Sequence, residues 1–322
     1  MRPFYTLAID GNTIELHNRS INMQVIDKNG MEADELSLDI DDHDGAVAMP
    51  TKGQLIEISF GYDDSAMYVG SFVVDEMSHK GPPDVITIRA SSADFRQDLL
   101  QEREESHHDT TVGGILSTIA GRQGLETAFD GSLAGIIVEH LDQTNECDAN
   151  LITRLAQEYD ALGTIKDGKL IFVPRATGNT ASGRALSSIT IERSEGDAHD
   201  YNDADRDDQV TGVAGYYQDK DEGKRKKATV GGGANTHHLK RTYNTEAEAT
   251  NAAAGKMKNI KTAARKLTLN LALGRPEIYS EMPITVRGFK DVIDAVSWIA
   301  TEVTHTLNNA GLSTGVNCEE KA

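Results

Sequence analysis

The sequence predicts a mainly β protein with a small α/β insert: one β-barrel domain, an α/β domain, then a second β-barrel domain. Three observations carry that expectation. Period-2 runs separated by turn residues fill residues 1–104, helical spacing replaces them after about residue 105, and alternation returns beyond about residue 179. The expected units are therefore 1–104, 105–178 and 179–322, the last holding a helical and loop insertion at about 218–265.

In the first unit, Leu36, Leu38 and Ile40 alternate with Ser37, Asp39 and Asp41, and Ile56, Ile58 and Phe60 flank Glu57 and Ser59. Ile86 and Ile88 oppose Thr87 and Arg89. Such alternation marks half-buried strands. Asp10-Gly11-Asn12, Lys28-Asn29-Gly30, Asp44-Gly45 and Gly81-Pro82-Pro83 are turn signals between them. The polar run Gln101–Asp109 reads as a compositional break.

Val112, Ile115, Leu116, Ile119 and Ala120 then follow helical spacing, with Thr110 or Thr111 as N-cap and Gly121 or Gly124 as the stop. A second helix starts at Asp148 and buries Leu151, Ile152, Leu155 and Tyr159. It leads to a hairpin over Gly163–Val173 whose Asp167-Gly168 is a two-residue turn. Ala176–Gly183 is a small-residue linker. Beyond it, Ile189 and Ile191, Val210 through Tyr217, and Leu267, Leu269, Leu271 and Leu273 read as strands of the second barrel, and residues 283–317 close it. A Lys- and Ala-rich helix over about Glu246–Arg265 reads as polar and surface-lying.

Bulk properties exclude several function classes. Hydrophobic residues are 38% and aromatics 5%, which suits thin β domains with small aliphatic cores. The net charge of −19 disfavours sequence-independent binding to nucleic acid or anionic lipid. Beside plain solubility, it suits a channel wall past which a polyanion slides. Cys147 and Cys318 lack metal or redox spacing and read as free thiols. The N-terminal residues lack a signal-peptide core, and no run is long enough to cross a membrane, so assembly in a cytoplasm is expected.

No catalytic, cofactor or metal residues are expected. Asp39–Gly45 resembles a calcium loop, but taking Gly45 as position 6 puts Ile40 at position 1 and Thr51 at position 12, so both ligands fail. The acidic stretch Glu192–Asp208, with Glu195, Asp197, Asp200, Asp203, Asp205, Asp207 and Asp208, repeats no ligand spacing and reads as a solvated loop. His107-His108 and His237-His238 read as surface pairs. Gly231–Thr236 lacks the Lys-Ser/Thr of a phosphate loop and reads as a flexible loop, as does the basic run Lys224–Lys227. The alternative function is a divalent-metal hydrolase using residues 195–208 with His199. A DNA-binding regulator does not fit the charge.

Three ordered patterns resemble the phage late control protein D family, the baseplate hub proteins of contractile tails. The first runs from Gly30–Asp39 through Asp44-Gly45 and Pro50–Gly53 to Phe60–Tyr62 and Tyr68–Asp75. The second is His140–Asp148, then Leu155–Asp160 and Lys166–Leu170; the third is Trp298, Val303–His305 and Gly311–Thr314. The family's more usual serine is replaced by Cys147, and the loops around 195–240 fall outside the matched patterns.

The resemblance implies a structural subunit and not an enzyme. It implies two similar barrels flanking the α/β domain and a homotrimer forming a pseudo-sixfold ring between a sixfold tail tube and a threefold spike. The implied partners are further copies, a tail spike protein, a tail tube or tube-initiator protein, other baseplate proteins and a tape-measure protein. No spike needle is expected on this chain, and the host particle is an infectious phage, a bacteriocin-like particle or another contractile injection system.

Overall fold

Alternation becomes strand wherever one face can be buried. The computed structural model describes residues 2–16, 19–92, 97–203, 210–219, 222–262 and 265–321. In the N-terminal half the strands are β1 (Pro3–Ile9), β2 (Asn12–Thr13), β3 (Ile21–Lys28), β4 (Glu35–Asp41), β5 (Leu55–Tyr62), β6 (Ser65–Lys80) and β7 (Val85–Ser92). Leu36, Leu38, Ile40, Ile56, Ile58, Phe60, Ile86 and Ile88 all bury their side chains in one core. Each such side chain contributes roughly 1.5–3 kcal/mol by leaving water.

The middle unit comprises β8 (Glu102–Thr111), α1 (Val112–Gln123), β9 (Glu126–Phe129), α2 (Gly131–Ala134), β10 (Ile137–Cys147), α3 (Asp148–Tyr159), β11 (Ala161–Lys166) and β12 (Lys169–Pro174). Thr111 caps α1 by accepting from the Gly114 amide, and Gly124 ends it at φ 63°. β11 and β12 join through Asp167 and Gly168, both at positive φ. The run Gln101–Asp109 is not a break. It forms most of β8, paired antiparallel with β10. Polar residues on both faces of this two-stranded ribbon hide its period.

The C-terminal half contains β13 (Ile189–Glu192), β14 (Gly196–Asp203), β15 (Gly212–Asp219), β16 (Lys224–Gly231), β17 (Thr236–Tyr243), α4 (Glu246–Thr262), β18 (Arg265–Leu271), β19 (Pro283–Arg287), α5 (Asp291–Asp294), β20 (Trp298–Asn308) and β21 (Gly311–Glu320). Three expectations are corrected here. The acidic loop is β13, a short 3-10 turn and β14, while Asp205, Asp207 and Asp208 lie outside the described residues. The basic run Lys224–Lys227 is strand β16, with Lys226 neutralised by Asp219 and Glu222. Val210–Tyr217 supplies β15, which joins β16 and β17 in a separate three-stranded sheet and not the large one. α4 lies on that sheet and buries Ala249, Ala252, Ala253 and Ile260, a face built mostly from small alanines. At Gly215 an added Cβ would lie 2.6 Å from the Ala249 carbonyl oxygen, so the helix packs almost on backbone.

The two outer regions are not separate sheets. They share one 13-stranded sheet in which β3 pairs antiparallel with β20. On either side of that seam the strand order repeats. The N-terminal half runs β3-β4-β7-β6-β5-β1 and the C-terminal half β14-β18-β21-β20-β19-β13, the same order of the same successive strands. The irregularities repeat too. β6 bulges between Val74 and Glu76, and β20 bulges between Ala300 and Glu302, each opening one residue past the last residue paired with the preceding strand. This places Trp298 where the first half has Phe72, and His305 where it has His79. One pairing departs: β13 runs parallel to β19, whereas β1 is antiparallel to β5. Each half keeps its own core, one around Phe60 and Phe72, the other around Trp298.

Candidate assembly interface

The side chains that fix the units to one another form two charged junctions. Asp27 is the last residue but one of β3, Asp34 precedes β4, and Lys166 ends β11. The Lys166 ammonium lies 2.8 Å from Asp27 and 2.5 Å from Asp34. Ser280, just before β19, donates its amide and hydroxyl to Asp27, both at 2.8 Å. Burial pulls the Lys166 pKa down, yet Asp27 and Asp34 outweigh it and raise the value. One ammonium thus holds the first half to the middle unit, while Asp27 also holds the second half.

The second junction centres on Arg175, which bonds Asp160 at 3.2 Å and Glu319 at 2.8 Å, tying α3 to β21. Beside it Glu281 accepts from the Asn29 side chain at 3.2 Å, and burial pushes its pKa up to about 7. The α4 unit docks by further polar bonds: Arg241 reaches Glu158 at 2.7 Å, and Asn244 donates to the His140 carbonyl at 3.2 Å. Gly255 of α4 approaches the α3 terminus so closely that a Cβ would lie 3.0 Å from the Glu158 carbonyl oxygen.

The stretch His140–Asp148 acts within this frame as a corner. Asp148 is fully buried at the first turn of α3, where the helix dipole favours its charge. Arg103 at 3.3 Å, Arg122 at 3.2 Å and the buried Gln143 at 2.9 Å hold it. Cys147 is the N-cap and makes no side-chain capping bond, where a serine hydroxyl would accept one.

Two strand edges of the large sheet bear on assembly. On β6, Asp75–Lys80 pairs with β7 on one side, and among the described strands none pairs with the other side, since β5 stops opposite Val73. Among the described strands β14 pairs only with β18, and most of its residues are exposed. Exposed apolar side chains frame two clefts. Met67 and Leu273 edge one of about 900 Å³ where the β5–β6 turn meets residues 272–277. Tyr68 and Tyr279 edge one of about 800 Å³ between the first half, β11–β12 and the linker.

Among the described residues, those weighed for chemistry do not converge. Glu195 receives the Glu192 amide at 2.8 Å and pairs with Arg275 at 3.6 Å, while Asp203 pairs with Arg265 at 3.4 Å. His199 sits edge-on to Phe289. His108 stacks on His140 across the β8–β10 ribbon, and His238 bonds the Tyr216 hydroxyl at 2.9 Å. Among the described residues no group of three His, Cys, Asp or Glu side chains is placed to hold a metal ion. No described helix is long and apolar enough to cross a membrane. Sequence reading missed the junction residues Asp27, Lys166, Arg175 and Glu281. Lys166 stands in a family-like pattern, but nothing local gives any of the four its junction role, because each partner is remote in the chain.

Comparison with known proteins gives a single direction. The model of a family described as phage tail baseplate hub (GPD) matches residues 33–311. The probable baseplate hub protein of Escherichia phage P2 is 37% identical, over 99% of this chain and 93% of its own length. That of Escherichia phage 186 is 35% identical, over 100% and 94%. A solved tail protein from Neisseria meningitidis MC58 superposes with a TM-score of 0.72 at 11% identity, covering 99% of this chain and 97% of its own.

Proposed function

Because the chain belongs to the phage tail baseplate hub (GPD) family, and is thus a structural hub of the tail baseplate, we propose that three copies close into a ring of six similar β units. The observation that supports this most is the strand order repeated on both sides of the β3–β20 seam. A chain carrying one unit twice presents six near-equivalent surfaces from three subunits on one side and three true repeats on the other. Such a ring joins a sixfold tail tube, or its initiator, to a threefold spike. The unpaired strand edges, an aggregation hazard in isolation, are covered when the ring closes.

The net charge of −19 suits a lumen that repels passing DNA or an acidic tape-measure segment. The middle unit and the α4 unit face other baseplate proteins in this reading, and assembly takes place in the host cytoplasm. The hydrolase alternative finds less support, because Glu195 and Asp203 are already engaged by Arg275 and Arg265.

Light scattering over a concentration series, with the spike protein absent and present, tests the ring. The expected mass is three times 34.9 kDa for the chain alone or, with the spike present, that mass plus the mass of the bound spike, unchanged by chelator. A chain that stays monomeric with the spike present would remove the reading.

A further inference from the structure

We infer that the free edge of β6, residues Asp75–Lys80, receives β14 of a neighbouring copy, in the register that β20 already uses to receive β3 within one chain. The inference rests on the ring reading and deepens it by naming the strands and the residue pairs.

The argument is a transfer of register. Within the chain, Val25 stands opposite His305, Gln24 opposite Thr306 and Ile26 opposite Thr304. Matching the two halves through their own ladders puts His79, Lys80 and Ser78 of β6 in the places of His305, Thr306 and Thr304. Matching β3 and β14 through β4 and β18 puts Tyr201, Asp200 and Asn202 in the places of Val25, Gln24 and Ile26. The seam between copies then sets Tyr201 opposite His79, Asp200 opposite Lys80 and Asn202 opposite Ser78.

Three observations agree with this occupant. The β6 segment and β14 are the two strands whose counterparts form the internal seam, and among the described strands both present an unpaired backbone edge. Their side chains are mostly exposed, whereas Met23, Val25 and His305 in the internal seam are buried. The transferred register, fixed without reference to charge, brings Asp200 against Lys80, an opposite-charge pair of the kind that stabilises adjacent strands. A partner of different sequence would have no reason to match a register written inside this chain. The seam is also more polar than the internal one, since its hairpin turn Gly81–Asp84 lacks counterparts of the buried Leu307 and Leu312.

The test is a disulfide between copies. Directly opposed strand residues lie about 4.5–5.5 Å apart, within reach of a disulfide. Full-length chain carrying Ser78→Cys and Asn202→Cys is mixed with the spike protein and mildly oxidised. The native thiols Cys147 and Cys318 are buried. Covalent dimers and trimers are expected on non-reducing gels from the double variant and from neither single variant. The exposed pair Lys80→Cys and Asp200→Cys gives a second reading if the first variant does not fold. A sample trimeric by light scattering without cross-links overturns the β6–β14 seam and leaves the ring standing. A sample monomeric with the spike present overturns the ring and the seam together.

Discussion

At Glu281 a carboxylate is held where water cannot fully solvate it. Its backbone sits at φ 68°, one side-chain oxygen accepts from Asn29, and the nearest cation, Arg175, is shared with Asp160 and Glu319. Burial dominates and pushes the pKa up from 4.5 to about 7. A carboxyl with a raised folded-state pKa gives its full stabilisation below the unfolded value. That stabilisation is lost as pH rises through about 7. Residual solvent contact reduces the effect to an expected 1–2 kcal/mol, about a pKa unit's worth. Glu281→Gln should therefore be more stable than the parent at pH 8 by roughly that amount, with little difference at pH 4.5. Urea unfolding at both pH values checks this, and a parent no less stable than the variant at pH 8 contradicts it. Nothing near residue 281 in the sequence announces this role. Gln143 and Asp148 stood out within a recognisable stretch, but their burial beneath Arg103 and Arg122 exists only after β8 pairs with β10.

Among the elements, the β20–β21 hairpin has the longest reach. Its tip leaves the second half and buries Leu307 and Leu312 in the core of the first. Tyr62 of β5 donates its hydroxyl to the Gly274 carbonyl at 3.0 Å, and the Gly274 amide donates to the Leu312 carbonyl at 2.8 Å. Leu312→Ala should cost about 2–5 kcal/mol, the usual range for a leucine cavity. Amide exchange should quicken in β5 of the first half as well as in the hairpin. Loss of protection confined to β20–β21 would show that the halves do not share stability across the seam. The elements legible in the sequence were those with one dry face: β4, β5, β7, α1, α3 and the β11–β12 hairpin. β8, β14 and β16 do not read as strands because polar or charged residues occupy both faces, so hydropathy carries no period even where, as in β8, exposed and half-buried residues alternate. The repeat was hidden for a related reason. Leu36, Leu38 and Ile40 match Leu267, Leu269 and Leu271, but the α4 unit separates β14 from β18, and Tyr201 replaces Val25.

For the whole molecule, the decisive question is whether the seam between copies carries the charge order that the internal register implies. Asp200→Lys sets like charges opposite each other, as does Lys80→Asp, and either change acts at every seam between copies. Opposite-charge pairs on adjacent strands contribute roughly 0.2–1 kcal/mol, and like charges oppose by similar amounts. A ring of three chains has three such seams, each losing an attraction and gaining a repulsion, so the expected loss is about 1–6 kcal/mol per trimer; a monomer–trimer midpoint follows the square root of the association constant, which makes this roughly 3- to 150-fold in the midpoint. The double reversal restores the pair in mirror image and should recover most of that loss, while each single variant becomes less impaired in high salt as the charges are screened. Native mass against concentration, with the spike protein at fixed excess, measures all four chains. Single variants with the parental midpoint would contradict the register. Two impaired singles without recovery in the double would place Asp200 and Lys80 at different contacts. Recovery in the double alone ties these residues together, because neither Asp200 nor Lys80 takes part in an ion pair among the described residues of a single chain.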